Sequence, residues 1–344
     1  MTSRERLLCA VQGGTPDRVP VAPFGLGALE PESDLCRQLV ERTDPFIPIG
    51  IGDAFIPADA VRATKREGNA TTFALETPSG PLTERVVSGD RASWRAQHFC
   101  KDAKDIEAFL SIPFKPAVPH LDDFFAAEKK YGEAALVLAD VGNAMMLPAR
   151  LLSEHDMCMM WATAPEIMET LAREAQRRVE LFAEAACRAG VRTYRIIGGE
   201  YVTVLLGPGA FDRLIAPFDA PLVQLIHRHA GIVYYHNHGR MMQWLDKLGR
   251  LGIDALDPLE APPWGDTDLR RAQEILGGRV CIVGNLDDME VLDKLPTERV
   301  LEMAAERCRE AGRTHFILGG TASGTYGAHA ARNFIAMAEM VQRL

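Results

Sequence analysis

Short apolar runs alternate with longer amphipathic segments along most of the chain, and this alternation constrains the fold more than any other feature. Strands that are apolar on both faces and alternate with helices are typical of a parallel sheet covered by helices. Eight such runs occur, which is the number of strands in a (β/α)8 barrel. The runs cover residues 18–25, 46–54, 134–142, 192–200, 231–239, 252–260, 279–287 and 314–322.

The segments between the runs carry signals for the two ends of a helix. Residues 165–190 and 296–312 each begin at a proline and end at a glycine, which suit the first helical turn and the C-cap. We therefore expect an α/β protein in which residues 1–344 form one (β/α)8 (TIM) barrel domain. A doubly wound sheet is the rival architecture, and it is disfavoured because no G-x-G-x-x-G follows any run.

One segment departs from the alternation, between residues 55 and 133. It contains "TTFALETPSGPLTERVV", which predicts antiparallel strands joined at the turn "TPSG". We expect this β-hairpin and helical region to be an insertion after the second barrel strand, covering one end of the barrel.

Composition excludes several classes of partner. The formal net charge is −9 and no block of five basic residues occurs, so nucleic acid is not expected to bind. No apolar run approaches the roughly 18 residues that span a bilayer, and the N-terminus lacks the apolar region of a signal peptide. The seven cysteines form no C-x-x-C pair and are odd in number. We expect a cytoplasmic protein without disulfides.

Polar residues follow almost every predicted barrel strand. In a (β/α)8 barrel the active site lies at the C-terminal ends of the strands, so these residues are expected to converge. Each residue could also have only a local role: Asp53 and Asp140 could be helix N-caps, and Asn285 could lie in a turn. The candidates are Asp53, Asp140, Glu200, His236, His238, Glu260, Asn285, Thr321 and Ser323.

Two histidines, His236 and His238, stand one residue apart in "YYHNHG". Residues i and i+2 of a strand point to the same side, so the two imidazoles could chelate one metal ion. Zinc accepts nitrogen ligands and takes three or four in total, and Glu200 or Glu260 could supply the third. Alternatively, one histidine binds substrate and the other is a core residue.

Two aromatic residues in the predicted loops at this end of the barrel could line the mouth of the pocket. Tyr201 follows a strand end directly, and Trp264 lies in the loop "EAPPWGDTD". Both are candidates for substrate binding.

Several stretches resemble proteins of the uroporphyrinogen decarboxylase superfamily. They are the opening "MTSRERLLCAVQGGTPDRVPV", then "ETPSGPLTERV", the long stretch from "GPGAFDRLIAP" through "YYHNHGRMM" to "DPLE", and "RVCIVGNLD". The resemblance extends over essentially the whole chain and implies a single (β/α)8 barrel, in agreement with the count of strands. A homodimer is also an expectation from the resemblance.

The two activities of this superfamily differ in their motifs. Decarboxylases of porphyrinogens hold the substrate carboxylates with arginines after the first strand, and "PFGLGALEPES" contains none here. The other branch moves methyl groups between small molecules and corrinoid proteins, and several members bind zinc through His-x-Cys and a later cysteine. His236 matches that histidine, His238 stands in the first cysteine's place, Glu200 matches an acidic position, and Ala322 replaces the last cysteine.

This resemblance implies a zinc-dependent methyltransferase that demethylates a small O- or N-methylated substrate. Zinc would act as a Lewis acid, a corrinoid on a separate partner protein would accept the methyl group, and Asp140 or Glu260 would supply a proton. Asn285 is placed with these catalytic candidates. One alternative is a metal-free decarboxylase of a small or tetrapyrrole-like carboxylate in which Arg240 grips the carboxylate, and another is a ligand-binding barrel without catalysis.

Overall fold

The computed structural model describes residues 1–56, 60–89, 93–322 and 324–343. The strands of this part of the chain are β1 (Val21–Ala22), β2 (Phe46–Gly50), β3 (Val61–Glu67), β4 (Ala70–Leu75), β5 (Leu82–Ser88), β6 (Ser93–Gln97), β7 (Leu136–Gly142), β8 (Thr193–Ile197), β9 (Ile232–Asn237), β10 (Ala255–Pro258), β11 (Cys281–Asn285) and β12 (Phe316–Gly319). Each of the eight predicted barrel runs contains one of these strands, which confirms the strand prediction.

Eight of the strands form one parallel sheet in the order β1-β12-β11-β10-β9-β8-β7-β2. The two end strands meet through a parallel bridge between Phe24 and Phe46. Phe46 N donates to the Pro23 carbonyl at 3.0 Å, and Gly25 N donates to the Phe46 carbonyl at 2.8 Å. These bonds close the sheet on itself, so the predicted (β/α)8 barrel fold is confirmed.

Helices follow the barrel strands and cover the outside of the sheet. None in the described ranges is long and apolar enough to cross a membrane. The longest begins at a proline, as predicted, and buries Leu171, Val179 and Phe182 against the sheet. The helices are α1 (Ser3–Val11), α2 (Asp34–Arg42), α3 (Ala103–Leu110), α4 (Asp122–Tyr131), α5 (Met146–Leu151), α6 (Glu154–Thr163), α7 (Pro165–Arg188), α8 (Glu200–Thr203), α9 (Pro208–Leu214), α10 (Ala216–Arg228), α11 (Leu245–Gly249), α12 (Leu269–Leu276), α13 (Thr297–Ala311) and α14 (Ala328–Val341).

The insertion after β2 begins with an antiparallel sheet of four strands, β3-β4-β5-β6, and continues through α3 and α4. The predicted hairpin is its central pair, and Gly80 N closes the turn on the Thr77 carbonyl at 3.1 Å. Buried Glu84 of this sheet receives hydrogen bonds from Arg95 and from Arg150 of α5. This clamp ties the inserted sheet to the barrel. That residues 1–344 form a single domain, with the insertion at about 55–133, stays a prediction.

Candidate active site at the C-terminal ends of the strands

The interior of the barrel changes from apolar to polar along its axis. Side chains alternate along each strand, so every second residue faces the interior. Phe46, Leu138, Tyr234 and Ile317 pack together there in one apolar cluster. The same faces of the strands then carry polar side chains towards their C-terminal ends. We name the polar group the strand-end ring: Asp140, Arg195, His236, His238, Asp257, Glu260 and Asn285.

His236 lies at the end of β9 and is 6% exposed. Its Nδ1 atom lies 3.0 Å from both carboxylate oxygens of Asp257, which is its register neighbour on β10. A carboxylate at Nδ1 holds the ring with a proton on that atom and leaves Nε2 as an acceptor. Asp257 was not among the predicted site residues, although it shares the inward face of β10 and is only 1% exposed.

His238 lies beyond the end of β9 and is paired with Glu260 in the same way. Its Nδ1 contacts Glu260 Oε1, while Gly239 N donates to Glu260 Oε2 at 3.2 Å. The hydrogen bond that His238 donates to Glu260 raises the pKa of His238 above its usual value. The two imidazole rings of His236 and His238 meet edge to face, with centroids 4.5 Å apart. The structure therefore brings the two histidines together, each oriented by a carboxylate.

Asp140 and Arg195 face each other on β7 and β8. Their closest atoms, Oδ2 and Nη1, are 3.4 Å apart, and the guanidinium lies 4.4 Å from the centroid of the Phe24 ring. Burial raises the pKa of Asp140 above its usual value, against the opposing charge of Arg195. Asp140 Oδ1 and Arg195 Nε are buried and have no hydrogen-bond partner among the described residues. Arg195 is a second ring member that the sequence analysis missed.

Two further candidates lie beside the ring on α8, which follows β8. Glu200 begins this helix and accepts a hydrogen bond from Gly198 N at 3.3 Å. Its charge contributes to the raised pKa of His238, so it lies within electrostatic reach of that residue. Burial raises the pKa of the neighbouring Tyr201, which is half-buried.

The remaining candidates include one ring member, Asn285, and several residues outside the ring. Asp53 Oδ1 accepts from Phe55 N at 2.7 Å and from Ile56 N at 3.2 Å, so the carboxylate is bonded to the backbone of its own loop. Buried Asn285 donates to the Leu259 carbonyl at 3.0 Å. Thr321 is buried and its backbone N donates to Asp288, whereas Arg240 and Trp264 are exposed. Ser323 lies outside the described residues.

The predicted zinc ligands are only partly assembled. In the described part of the chain the Nε2 atoms of His236 and His238 make no hydrogen bond, and histidine ligands of metals often carry a carboxylate on the other nitrogen. A zinc site needs at least three protein ligands, however, and no three His, Cys, Asp or Glu side chains in the described ranges are arranged to hold a metal ion. The set of Glu200, His236 and His238 does not fit zinc in this arrangement. Zinc stays a prediction, which metal analysis of the purified protein tests.

A buried polar network supports β9 from behind the ring. Asp219 of α10 is fully buried and accepts hydrogen bonds from Tyr235 at 2.5 Å and from Asn143 at 3.0 Å. Its other oxygen has no hydrogen-bond partner in the part of the chain that the structure describes. Burial raises the pKa of Asp219 to about 7, although both hydrogen bonds oppose the shift. The network fixes the strand that carries the two histidines.

Asp219 is expected to make stability fall as the pH rises. Its carboxyl keeps a proton up to about pH 7 in the folded chain, whereas an unfolded chain loses it near pH 4. The protonated carboxyl of Asp219 therefore contributes fully to the free energy of unfolding below about pH 4. This contribution falls by about 1.4 kcal/mol per pH unit as the pH rises to 7. Asp219→Asn should gain stability relative to the wild type over this interval in denaturant titrations at several pH values. A difference between the two proteins that is constant with pH would contradict this assignment.

Comparison with known proteins identifies the family. A search of curated proteins found no match. Among solved structures, a methyltransferase from Methanosarcina mazei is 15% identical, covers 98% of each chain and has a TM-score of 0.67. A B12-independent methionine synthase from a Shewanella species is 13% identical, covers 83% of this chain and 75% of its own, and has a TM-score of 0.44. A putative B12-independent methionine synthase from Listeria monocytogenes is 14% identical, covers 65% and 68%, and has a TM-score of 0.43.

The first of these structures shows the same fold over the whole of both chains. The family model of uroporphyrinogen decarboxylase (URO-D) matches residues 94–344, which is most of the chain. The matched part includes every member of the strand-end ring. The chain belongs to the uroporphyrinogen decarboxylase (URO-D) family.

Proposed function

We propose that this chain is a methyltransferase that removes a methyl group from a small O- or N-methylated molecule. A corrinoid carried by a separate protein would accept the methyl group. Two comparisons support the proposal. The fold is that of a methyltransferase from Methanosarcina mazei. The segment "PFGLGALEPES" lacks the arginines with which porphyrinogen decarboxylases of the superfamily hold the carboxylates of their substrate.

The main support for the proposal is the excess of negative charge at the strand ends. Three carboxylates, Asp257 and Glu260 of the ring and Glu200 beside it, outnumber the positive groups of the described ring, which are Arg195 and a His238 whose pKa is raised. In a partly buried site such a field repels polycarboxylates and favours neutral or cationic molecules. A methylated amine, ammonium or ether meets this condition, whereas a porphyrinogen with several carboxylates does not.

The ring residues can assist departure of the demethylated product. When the methyl group leaves an ether, the electron pair of the broken bond stays on the oxygen, which then needs a proton. Asp140 is suited to supply it, because burial raises its pKa and one of its oxygens makes no hydrogen bond within the described ranges. His236, held by Asp257, offers Nε2 as a fixed contact for the substrate.

The surface around the barrel mouth suits contact with another protein. The segments that follow β8, β10 and β11 expose large apolar side chains: Val204 is 59% exposed, Trp264 45%, and Met289, in a short π-helix, 43%. Loops after barrel strands surround the entrance to the active site. Exposed apolar groups on one face are typical of surfaces that bind partners, and a corrinoid protein would have to reach this entrance.

A panel of small ligands tests the charge argument by thermal shift. We expect saturating guaiacol, dimethylaniline or tetramethylammonium to raise the melting temperature by a few degrees and citrate to leave it unchanged. Glu260→Gln should weaken binding of tetramethylammonium, whereas Glu274→Gln on the exposed face of α12 should not. Stabilisation by citrate without any response to the methylated compounds would favour the decarboxylase alternative.

A further inference from the structure

A cavity of about 840 Å³ lies beside the barrel, between α7, the chain that follows β2, and the segment 109–120. Its volume is in the range of sites that bind small molecules. Most of its wall is apolar. The apolar lining includes Phe55, Ile56, Leu75, Phe109, Ile112 and Phe114.

This cavity is separate from the strand-end ring, because no ring residue lines it. Phe55 forms part of the partition. A Cβ atom placed on Gly142, at the end of β7, would lie 3.0 Å from Phe55 Cε2, so the phenyl ring packs directly against that strand end. A molecule in the cavity would therefore occupy a different site from a substrate in the ring.

Arg178, the buried charged group in the cavity wall, already has hydrogen-bond and ion-pair partners. Its side chain is 5% exposed, Nε binds Glu174 at 2.8 Å, and Nη1 donates to the Phe55 carbonyl at 2.7 Å. The guanidinium also lies 5.1 Å from the ring centroid of Phe109 and 4.7 Å from that of Phe114. This arginine is a structural part of the wall and does not need an anionic ligand.

Two other groups of the cavity wall are exposed and have free hydrogen-bonding capacity. The side chains of Lys115 and His120 make no hydrogen bond or ion pair within the described part of the chain. The nearby Asp53 carboxylate is directed to the backbone amides of Phe55 and Ile56. The apolar wall therefore ends at an unpaired ammonium group, which favours a negatively charged head group.

We propose that this cavity is a second ligand site for an apolar carboxylate. The aromatic or aliphatic body lies among the phenylalanine and isoleucine side chains, and the carboxylate pairs with Lys115. The site does not depend on the proposed methyl transfer, because no residue of the strand-end ring is among the described residues that line the cavity.

Displacement of a fluorescent probe tests the site in the full-length protein. Anilinonaphthalene sulfonate is itself an apolar anion, and we expect it to bind saturably with one molecule per chain. Dodecanoate should displace it at lower concentration than dodecanol does. Lys115→Glu should weaken dodecanoate binding about tenfold and leave dodecanol binding unchanged, whereas the same change at the exposed Lys129 of α4, Lys129→Glu, serves as the matched surface control.

A second variant guards against a loss of folding. Val118 lines the cavity and is 77% exposed, so Val118→Trp adds bulk to the wall without disturbing a packed core. It should reduce binding of the probe and of both displacing ligands. Equal displacement by dodecanoate and dodecanol, insensitivity to both variants, or the absence of saturable binding would overturn the proposal.

Discussion

Replacing Asp44 with alanine is expected to lower the free energy of unfolding by about 3–5 kcal/mol. Asp44 is fully buried at the N-terminal end of β2 and accepts hydrogen bonds at 2.6 Å from both Arg6 and Arg18. It also accepts from Val21 N of β1 at 2.9 Å. Removal of this carboxylate leaves two largely buried guanidinium groups facing each other without their shared anion. Denaturant unfolding monitored by circular dichroism measures the loss.

Asp17 provides a matched control for this prediction. It binds the same Arg6 at 2.6 Å, but its own side chain is 45% exposed. An exposed ion pair contributes about 0–1 kcal/mol, so Asp17→Ala should cost far less than Asp44→Ala. Equal losses of unfolding free energy in the two variants would show that burial of Asp44 does not increase its contribution to stability. Both residues lie at the end of the barrel opposite the ring, so neither change should alter the specificity of the site.

Asp140→Asn is expected to slow demethylation of an ether about 100-fold to 10,000-fold. The amide keeps the size of the side chain and cannot donate a proton in the way that a carboxylic acid does. The wild-type rate should fall as the pH rises through the raised pKa of Asp140, because only the protonated acid is active. This dependence should disappear in the variant. Steady-state rates across pH, with the loss in kcat rather than in KM, measure the effect.

The leaving group supplies the internal control for Asp140. A quaternary ammonium substrate releases a neutral amine, which needs no proton, so Asp140→Asn should slow its demethylation far less than that of an ether. If both substrates lose the same factor, Asp140 acts through the structure of the ring and not as a proton donor. Unchanged rates for both would exclude it from the reaction.

The barrel was predictable because its pattern is repeated along the chain. Each barrel strand lies in a mainly apolar run, and the long helices α7 and α13 each follow the predicted start at a proline and stop at a glycine. The inserted sheet was predicted only at its centre, β4 and β5. Its edge strands β3 and β6 are almost wholly exposed, and β3 is also rich in charged residues. Backbone pairing forms these strands without the alternation of apolar and polar residues that would have predicted them from the sequence.

The strand-end ring was predictable in position and only partly in membership. His236, His238, Glu260 and Asp140 were expected where the strands end, and the structure places them there. Arg195 and Asp257 were missed because each is the one charged residue within its short strand, β8 or β10. The alternation of side chains along a strand could have identified them. Arg195 is in register with Tyr234, and Asp257 with His236, so both side chains face the barrel interior.

Methyl transfer to free cob(I)alamin tests the central proposal most directly. The purified chain is incubated with each methylated compound of the panel, and methylated cobalamin and demethylated product are both quantified. We predict that at least one compound yields the two products in equal amounts, and that Asp140→Asn suppresses the reaction of an ether. Absence of methylated cobalamin with every compound, together with release of carbon dioxide from a carboxylated substrate, would contradict the proposed function.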